Sequence, residues 1–537
     1  MKKLIIIFLY SLIYSQNFIY NEEDWIVVSN PGYITSMTVR FDDIIFTSNK
    51  GVFVYNTNTN NFSFMSEFIR GFNNNNKIIH NDSFRDHIWF LNNEKLYFKP
   101  YVSSIWREIE FYELDIIDFS SIKNIGSNHD FIFLKINSNE ILVLDPFSGK
   151  KVDYDDVTFI DFETVIWSAT NNDDINFSFD LQRFKSDAGF NILSNEYMEY
   201  NGQFIYITCA IEDNNKNIWL STNSGQLFKG NLYTDTLKKV SNLPYFSNIN
   251  LAYLDEYGEW WMSTDDQILI LDEVLVNTSD NIFLAHWKEN NNKWSYIKQN
   301  VSMSIKSADI TSFIRYASNI YVGTNKGVLL YNVNKKEWSS YEGINDEYYV
   351  YNLDKSEDFI YVATNKGIKI ISIINNSVLN FDKLKMFDDY QIYDLVFIDN
   401  VLYFSSDIGL FSYQVFDDLL TKVSEEIFIN ITVDKENDLL YLNNKNRIFL
   451  YDGKFKNISS IKRIKDISFC NNFLWINNNR YATLFNVSTS EIFEYDYLDG
   501  IVGKKINSIE CDDDWVSFST DKGLVLFNWL KYHNVKK

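Results

Sequence analysis

Proline and glycine are scarce in this chain, 4 and 19 among 537 residues, so no flexible linker rich in either divides it. Cysteine is scarcer still, at 3. An odd, sparse set is not a disulfide framework, and a chain of this size does not need one. Cys470 and Cys511 each stand just before a strand, at Leu474 and Trp515, and so hold equivalent places in successive units. We expect buried thiols there, with a bridge open only if the Cα atoms come within about 7 Å. The 5 histidines include none at metal-ligand spacing, and His80 with His87 reads as a surface pair across a hairpin. Nucleophile elbows, phosphate loops and dinucleotide fingerprints are missing. We therefore expect no enzyme, no metal and no cofactor. Positive charge is also short: 49 Lys and Arg face 72 Asp and Glu, for a net charge of −23. Such a chain repels phosphate backbones and anionic lipid, which disfavours nucleic acid and membrane surfaces. Past the N-terminus every apolar run is broken by Asn, Asp or Lys, so none reaches the roughly 20 residues of a membrane span.

What is present begins with a leader. Lys2 and Lys3 precede an apolar stretch from Leu4 to Tyr14, and Ser15 offers a small residue for cleavage. This reads as a signal peptide over 1–15, too short to span a bilayer. We expect an exported protein, soluble in the periplasm or at the cell surface. Aromatic residues make up 17% of the chain, as suits pleated, half-buried strands.

One motif recurs. Ile320-Tyr321-Val322-Gly323-Thr324-Asn325-Lys326-Gly327-Val328-Leu329-Leu330-Tyr331-Asn332 is matched from Ile360 to Ile368, from Leu402 to Leu410, from Ile44 to Asn56, from Trp515 to Leu524 and from Ile218 to Gly225. Alternating apolar residues form a strand, a short polar turn follows, and a second strand leaves it. The turn glycines, Gly51, Gly225, Gly327, Gly367, Gly409 and Gly523, are expected to supply positive φ. The position four before each glycine stays small (Thr47, Ser221, Gly323, Ala363, Ser405, Ser519), which implies close approach to a neighbouring sheet. The Ser or Thr after it can bond into the turn. Adding a strand upstream and one downstream gives four antiparallel strands in about 40 to 45 residues, the size of a propeller blade.

Weaker copies stand at Ile88, Ile132, Ile166, Trp260, Leu440 and Leu474, and one unit carries an insertion around Val274 to Asn281. The fold class is therefore all-β, with about twelve four-stranded blades. Rings usually hold about four to eight blades, so two β-propellers of six or seven each are expected. The first propeller region would cover 16–275 and the second 276–537. The orphan strand at residues 24–28 would complete the C-terminal blade and remove an exposed edge. In that case the first propeller is split, with the second inserted into it; a simple tandem order is the alternative.

The unit resembles the two-component-regulator propeller repeat, an aromatic strand, Thr-x-x-Gly, then an aliphatic strand ending in Tyr-Asp. Here that is Trp219 to Gly225 and Thr324 to Asn332. The opening segment, with Trp25 and Ile44 to Asn56, is similar to the N-terminal propeller of PorZ-type proteins. The resemblance covers about 16–530. It implies either a sensor propeller that recognises oligosaccharides or a surface component of type IX secretion. This sequence shows no kinase and no sorting sandwich, so only the sensing or docking part carries over.

Carboxylate clusters (Asp42-Asp43, Asp388-Asp389, Asp512 to Asp514) fall where hairpin turns are expected and read as turn formers. Trp219, Trp261, Trp475 and Trp515 repeat blade after blade and read as core. Tyr348, Tyr349 and Tyr390 stand outside the pattern, on loops entering a blade, and are the candidate partner-binding residues. The function expected is an extracytoplasmic binding or scaffold protein that recognises a glycan or envelope protein. The alternative is a propeller lyase or hydrolase acting on polysaccharide, which needs carboxylates converging in a pocket.

Overall fold

The computed structural model describes residues 24–60, 62–65, 78–92, 95–103, 105–116, 121–136, 140–152, 162–171, 181–186, 189–200, 203–240, 244, 246–264, 283–288, 293–298, 309–341, 343–497 and 499–533. The expected leader and the expected insertion around Val274 lie outside them. Within the described residues the regular elements are strands and short 3-10 turns, arranged as eleven sheets. We number the sheets by their first strands: Ile34–Arg40 (sheet 1), Ile78–Asp82 (2), Ile122–Ser127 (3), Gln203–Glu212 (4), Leu251–Leu254 (5), Ile310–Tyr316 (6), Val350–Lys355 (7), Ile392–Ile398 (8), Asn430–Asp434 (9), Asp466–Cys470 (10) and Ile506–Asp512 (11). Sheets 5 to 10 each hold four antiparallel strands in chain order.

The second strand of each sheet is buried on both faces, as in Asn319–Thr324, where only the first residue meets solvent. A sheet packed between two others needs apolar side chains on both sides, which explains the near-continuous apolar runs. The small position behaves as expected. A Cβ on Gly323 would lie 2.7 Å from Val350, on the first strand of sheet 7. The hydroxyl beside it also bonds into the turn, Thr324 Oγ1 donating to Gly327 O at 2.8 Å.

Five of the six glycines supply the expected positive φ, though not all from within the turn. Gly327 follows the two turn residues and pairs with Thr324 as the first residue of the returning strand. It has φ +96°, and a Cβ would stand 2.2 Å from Ile344 O, so glycine is required twice over. Gly225, Gly367, Gly409 and Gly523 also have positive φ. Gly51 does not, because its turn closes without that conformation.

Sheet 11 is completed from the other end of the chain. Trp25–Val28 runs antiparallel to Gly523–Asn528, with Trp25 opposite Phe527 and the two rings stacked at 4.0 Å. The first strands of sheets 5 to 11 pack side by side in order, and that of sheet 11 packs again on that of sheet 5. Across that contact Ile249 N donates to Thr520 O at 2.9 Å. The expected boundary between 275 and 276 lies outside the described residues. The strands on either side of it, Trp260–Ser263 and Phe283–Lys288, pair within sheet 5.

Sheets 1 to 4 are less regular. The copy expected at Ile166 is not a blade: Ile166–Trp167 pairs with the first strand of sheet 3, and Ala169–Thr170 with that of sheet 1. This short segment joins two sheets instead of founding a third. Sheet 4 curls into a small barrel with Lys185–Ser186, Asn191–Ile192 and Tyr197–Tyr200. The chain passes between sheets 1–4 and sheets 5–11 at one place. Asn30 N donates to Phe246 O at 3.0 Å, and Asn30 Nδ2 to Pro244 O at 2.8 Å.

Two further expectations are corrected. Cys470 and Cys511 form a disulfide, because neighbouring first strands bring their Cα atoms to 6.1 Å; Cys209 is buried and lies outside the bridge. His80 is not on the surface. It is buried, with Nε2 at 2.9 Å from Ser127 Oγ and Nδ1 at 3.1 Å from Ser168 Oγ. The segment at 166–170 covers it, which the hairpin pattern alone does not reveal.

Candidate functional site

First strands of adjacent sheets sit too far apart to share a ladder, and side chains bridge the gap. Asp394 Oδ2 accepts from Ile431 N (2.6 Å) and Asp354 Oδ2 from Phe397 N (2.6 Å). Thr432 Oγ1 accepts from Phe469 N (3.3 Å) and Ser468 Oγ from Cys511 N (3.0 Å). Glu510 stands beside the Leu254 backbone, where the first strand of sheet 11 packs on that of sheet 5. The sheets have the make-up of propeller blades. From blade 7 to blade 11, each blade thus meets the next through a polar side chain that accepts a backbone amide.

Four of these inner strands begin with a bulge, between Ile310 and Ser312, Val350 and Asn352, Ile392 and Asp394, and Ile506 and Ser508. A bulge adds one residue whose side chain is re-aimed out of the alternation. In blades 7 and 8 that residue is Tyr351 and Tyr393. Both are partly exposed. Tyr349, which is exposed, lies 4.6 Å from Tyr351, ring to ring. Tyr393 Oη donates to Asp407 Oδ1 at 2.8 Å. That bond, with burial second, raises the Tyr393 phenol, and Tyr351 beside it adds to the rise. For Tyr351 burial leads, followed by Tyr349 and Asp407. Three phenol rings and one carboxylate therefore gather where two inner strands begin.

Of the residues expected to bind a partner, Tyr349 belongs to this group. Tyr348 does not: it is half-buried in the blade core under Lys366 and Lys369, whose ammonium groups stand 5.7 and 5.5 Å from its ring. Tyr390 packs on the core between blades 7 and 8, as Tyr351 also does in part, but its ring stands outside the group and its carbonyl accepts from Gly367 N at 2.9 Å. The turn glycines shape blades and line no site. Tyr351 and Tyr393 escape sequence reasoning because they stand inside the strand pattern. The signal that would have found them is the bulge, which binary alternation does not show.

The chain matches no family model and no curated protein. Among solved structures it is similar to the extracellular domain of a putative one-component system from B. thetaiotaomicron (12% identity over 92% of this chain and 74% of that one, TM-score 0.38). It is also similar to PorZ, an essential surface component of the type-IX secretion system of Porphyromonas gingivalis (11%, 92% and 74%, 0.39). A third likeness is the β-propeller domain of Swd1 from Myceliophteria thermophila (11%, 52% and 96%, 0.39). At these scores the blades of this chain rest on its own sheets and registers.

Carboxylates do converge in two other places. Between blades 5 and 6, Asp255 and Glu259 share Arg315, and Glu259 Oε2 also meets His286 Nε2 at 2.9 Å. Burial would raise Glu259, but Lys288, Arg315 and His286 bring it down to about 2. Asp255 takes in addition Trp261 Nε1 (2.8 Å) and two turn amides, so its lone pairs are spoken for. This arrangement locks a turn and an indole, as Asp213 does for Trp219. The other place is the far end of the inner strands of blades 9 to 11. There a funnel of about 650 Å³ is lined by Asp434, Lys435, Glu436, Asp512, Asp513 and the disulfide. Asp42, Asp388, Asp389, Asp513 and Asp514 sit in turns, as expected. Among the described residues no group of three or more His, Cys, Asp or Glu side chains is placed to hold a metal ion.

Proposed function

We propose that this chain is an exported β-propeller binding protein and that it takes a glycan on the Tyr349, Tyr351 and Tyr393 surface. The observation that carries the reading is the pair of bulge tyrosines. Two successive blades each spend an irregularity on presenting a phenol to solvent beside Asp407. A flat ring offers the apolar C–H face of a sugar a stacking partner, while a carboxylate and phenol hydroxyls receive its hydroxyls. We read blades 5 to 11 as one seven-membered ring. The packing of the first strand of sheet 11 on that of sheet 5 and the docking of Trp25–Val28 support this. Sheets 1 to 4 would then form a second unit inserted between residues 28 and 251. Export is supported by the Cys470–Cys511 disulfide, which an oxidising compartment sustains. Among the described residues no helix is long and apolar enough to cross a membrane.

A glycan array with the full chain tests the reading. Binding is expected to fall by about tenfold or more in Tyr351→Ala with Tyr393→Ala, a loss of about 1.4 kcal/mol or more shared between two rings. Melting should stay near the wild-type value, because both rings are partly exposed. An array without hits, or a double variant that keeps them, removes the proposal. We also propose that the bound glycan leaves intact; new reducing ends or unsaturated products after incubation would show the opposite.

A further inference from the structure

Between blades 11 and 5, at the end of the inner strands away from the tyrosines, lies a cavity of about 160 Å³. Its apolar walls include Trp260 and Trp515, backed by Ile26 from the N-terminal strand and Leu254; its polar lining includes Glu510 and Asp512. Trp260 is buried, Trp515 half-buried and Asp512 exposed, so the cavity reaches the surface on its Asp512 side. It is large enough for a ligand of about the size of benzene, which fills an apolar cavity of about 150 Å³.

Glu510 is the anomaly. It faces the Leu254 backbone of the next blade, and at the matching places Thr432 and Ser468 put a neutral hydroxyl that accepts a backbone amide. Of the other carboxyls in the series, Asp354 has Lys435 and Lys355 near it, and Asp394, which no cation meets among the described residues, is held by three donors. Around Glu510 the charged neighbours are Asp512 and Asp466, both negative, and among the described residues no cation meets it. A carboxyl of this kind holds its proton at neutral pH unless a positive charge enters; burial, then these neighbours, push it up to about 8. Indole walls favour a cation with an apolar shell over a hydrated metal ion, since the ring faces attract it without offering lone pairs.

We propose that this cavity binds a small organic ammonium ion, with Glu510 as its counter-charge and Trp260 and Trp515 as its walls. The test is calorimetric titration of the full chain with choline and with its uncharged isostere, 3,3-dimethyl-1-butanol. Choline is expected to bind about tenfold or more tightly than the isostere. Glu510→Gln, which keeps the size and polarity of the side chain, should weaken choline by about tenfold while melting at or above the wild-type temperature. Trp515→Leu should weaken it as well. Equal binding of the isostere, unchanged binding in both variants, or no heat at about 10 mM choline overturns the proposal. None of these outcomes touches the glycan surface, which is read by the tyrosine variants alone.

Discussion

Asp394 is held by donors from three blades: Asn352 Nδ2 (2.5 Å), its own neighbour Leu395 N (2.8 Å) and Ile431 N (2.6 Å). Burial nonetheless dominates and pushes its carboxyl up to about 7, as it pushes Asp354 to about 6. A folded carboxyl raised in this way holds a proton that the unfolded chain has released above about pH 4. Stability from these groups is therefore present at low pH and lost as pH rises through about 6 to 7. Hydrogen exchange of residues 350–355 and 392–398, corrected for intrinsic rates, should show at least about 1 kcal/mol more protection at pH 5 than at pH 8. His80 runs the other way. Burial lowers its pKa to about 3, so the unfolded chain takes up the proton first, and its share of stability is lost as pH falls from about 6.5 toward 3. Histidine ¹⁵N spectra at pH 5 should still show the His80 ring neutral between its two serines. Neither titration is legible in the sequence. Asp394 and His80 sit in ordinary strand alternation, and burial of that depth comes from blades about 40 residues or more away in the chain.

At the scale of the strand and turn, the blade is legible almost to the residue. The small position, the hydroxyl and the glycine each do local work, and local chemistry is what a sequence displays. The glycine's role is harder to place, because a turn residue and the residue just after a turn look alike in a string. Two glycines separate conformation from crowding. Gly258 has φ +71° with nothing within 4 Å of where a methyl group would stand, whereas Gly327 would meet Ile344 O. Gly258→Ala should cost about 1–2 kcal/mol in chemical denaturation. Gly327→Ala should cost clearly more, because backbone must also move. Bulges stay hidden for the same reason that blades do not: they interrupt the alternation, and Tyr351 and Tyr393 look like ordinary strand residues. The disulfide joins adjacent inner strands across 41 positions. Replacing both cysteines with serine should cost about 2–4 kcal/mol, read from the denaturation midpoint.

For the whole molecule, the docking of the N-terminal strand is visible in the sequence because residues 24–28 read as a strand that stands outside the first hairpin unit. The number of blades is not, since Ile166–Trp167 carries the aliphatic-tryptophan signature without building a sheet. Trp25 is buried against Phe527, so Trp25→Ala should cost about 3–5 kcal/mol and loosen exchange first in residues 523–528. Loosening confined to sheets 1 to 4 would contradict the pairing.

The clasp that seals this strand, Ser29 Oγ on Lys522 O, joins residues 493 positions apart. A ribosome adding about 5 to 20 residues each second delivers the second partner roughly 25 to 100 seconds after the first. Throughout that interval a tryptophan-bearing edge strand is complete and unmatched. A newborn chain therefore needs a companion for that edge, or a passage that keeps it extended, until its last blade arrives.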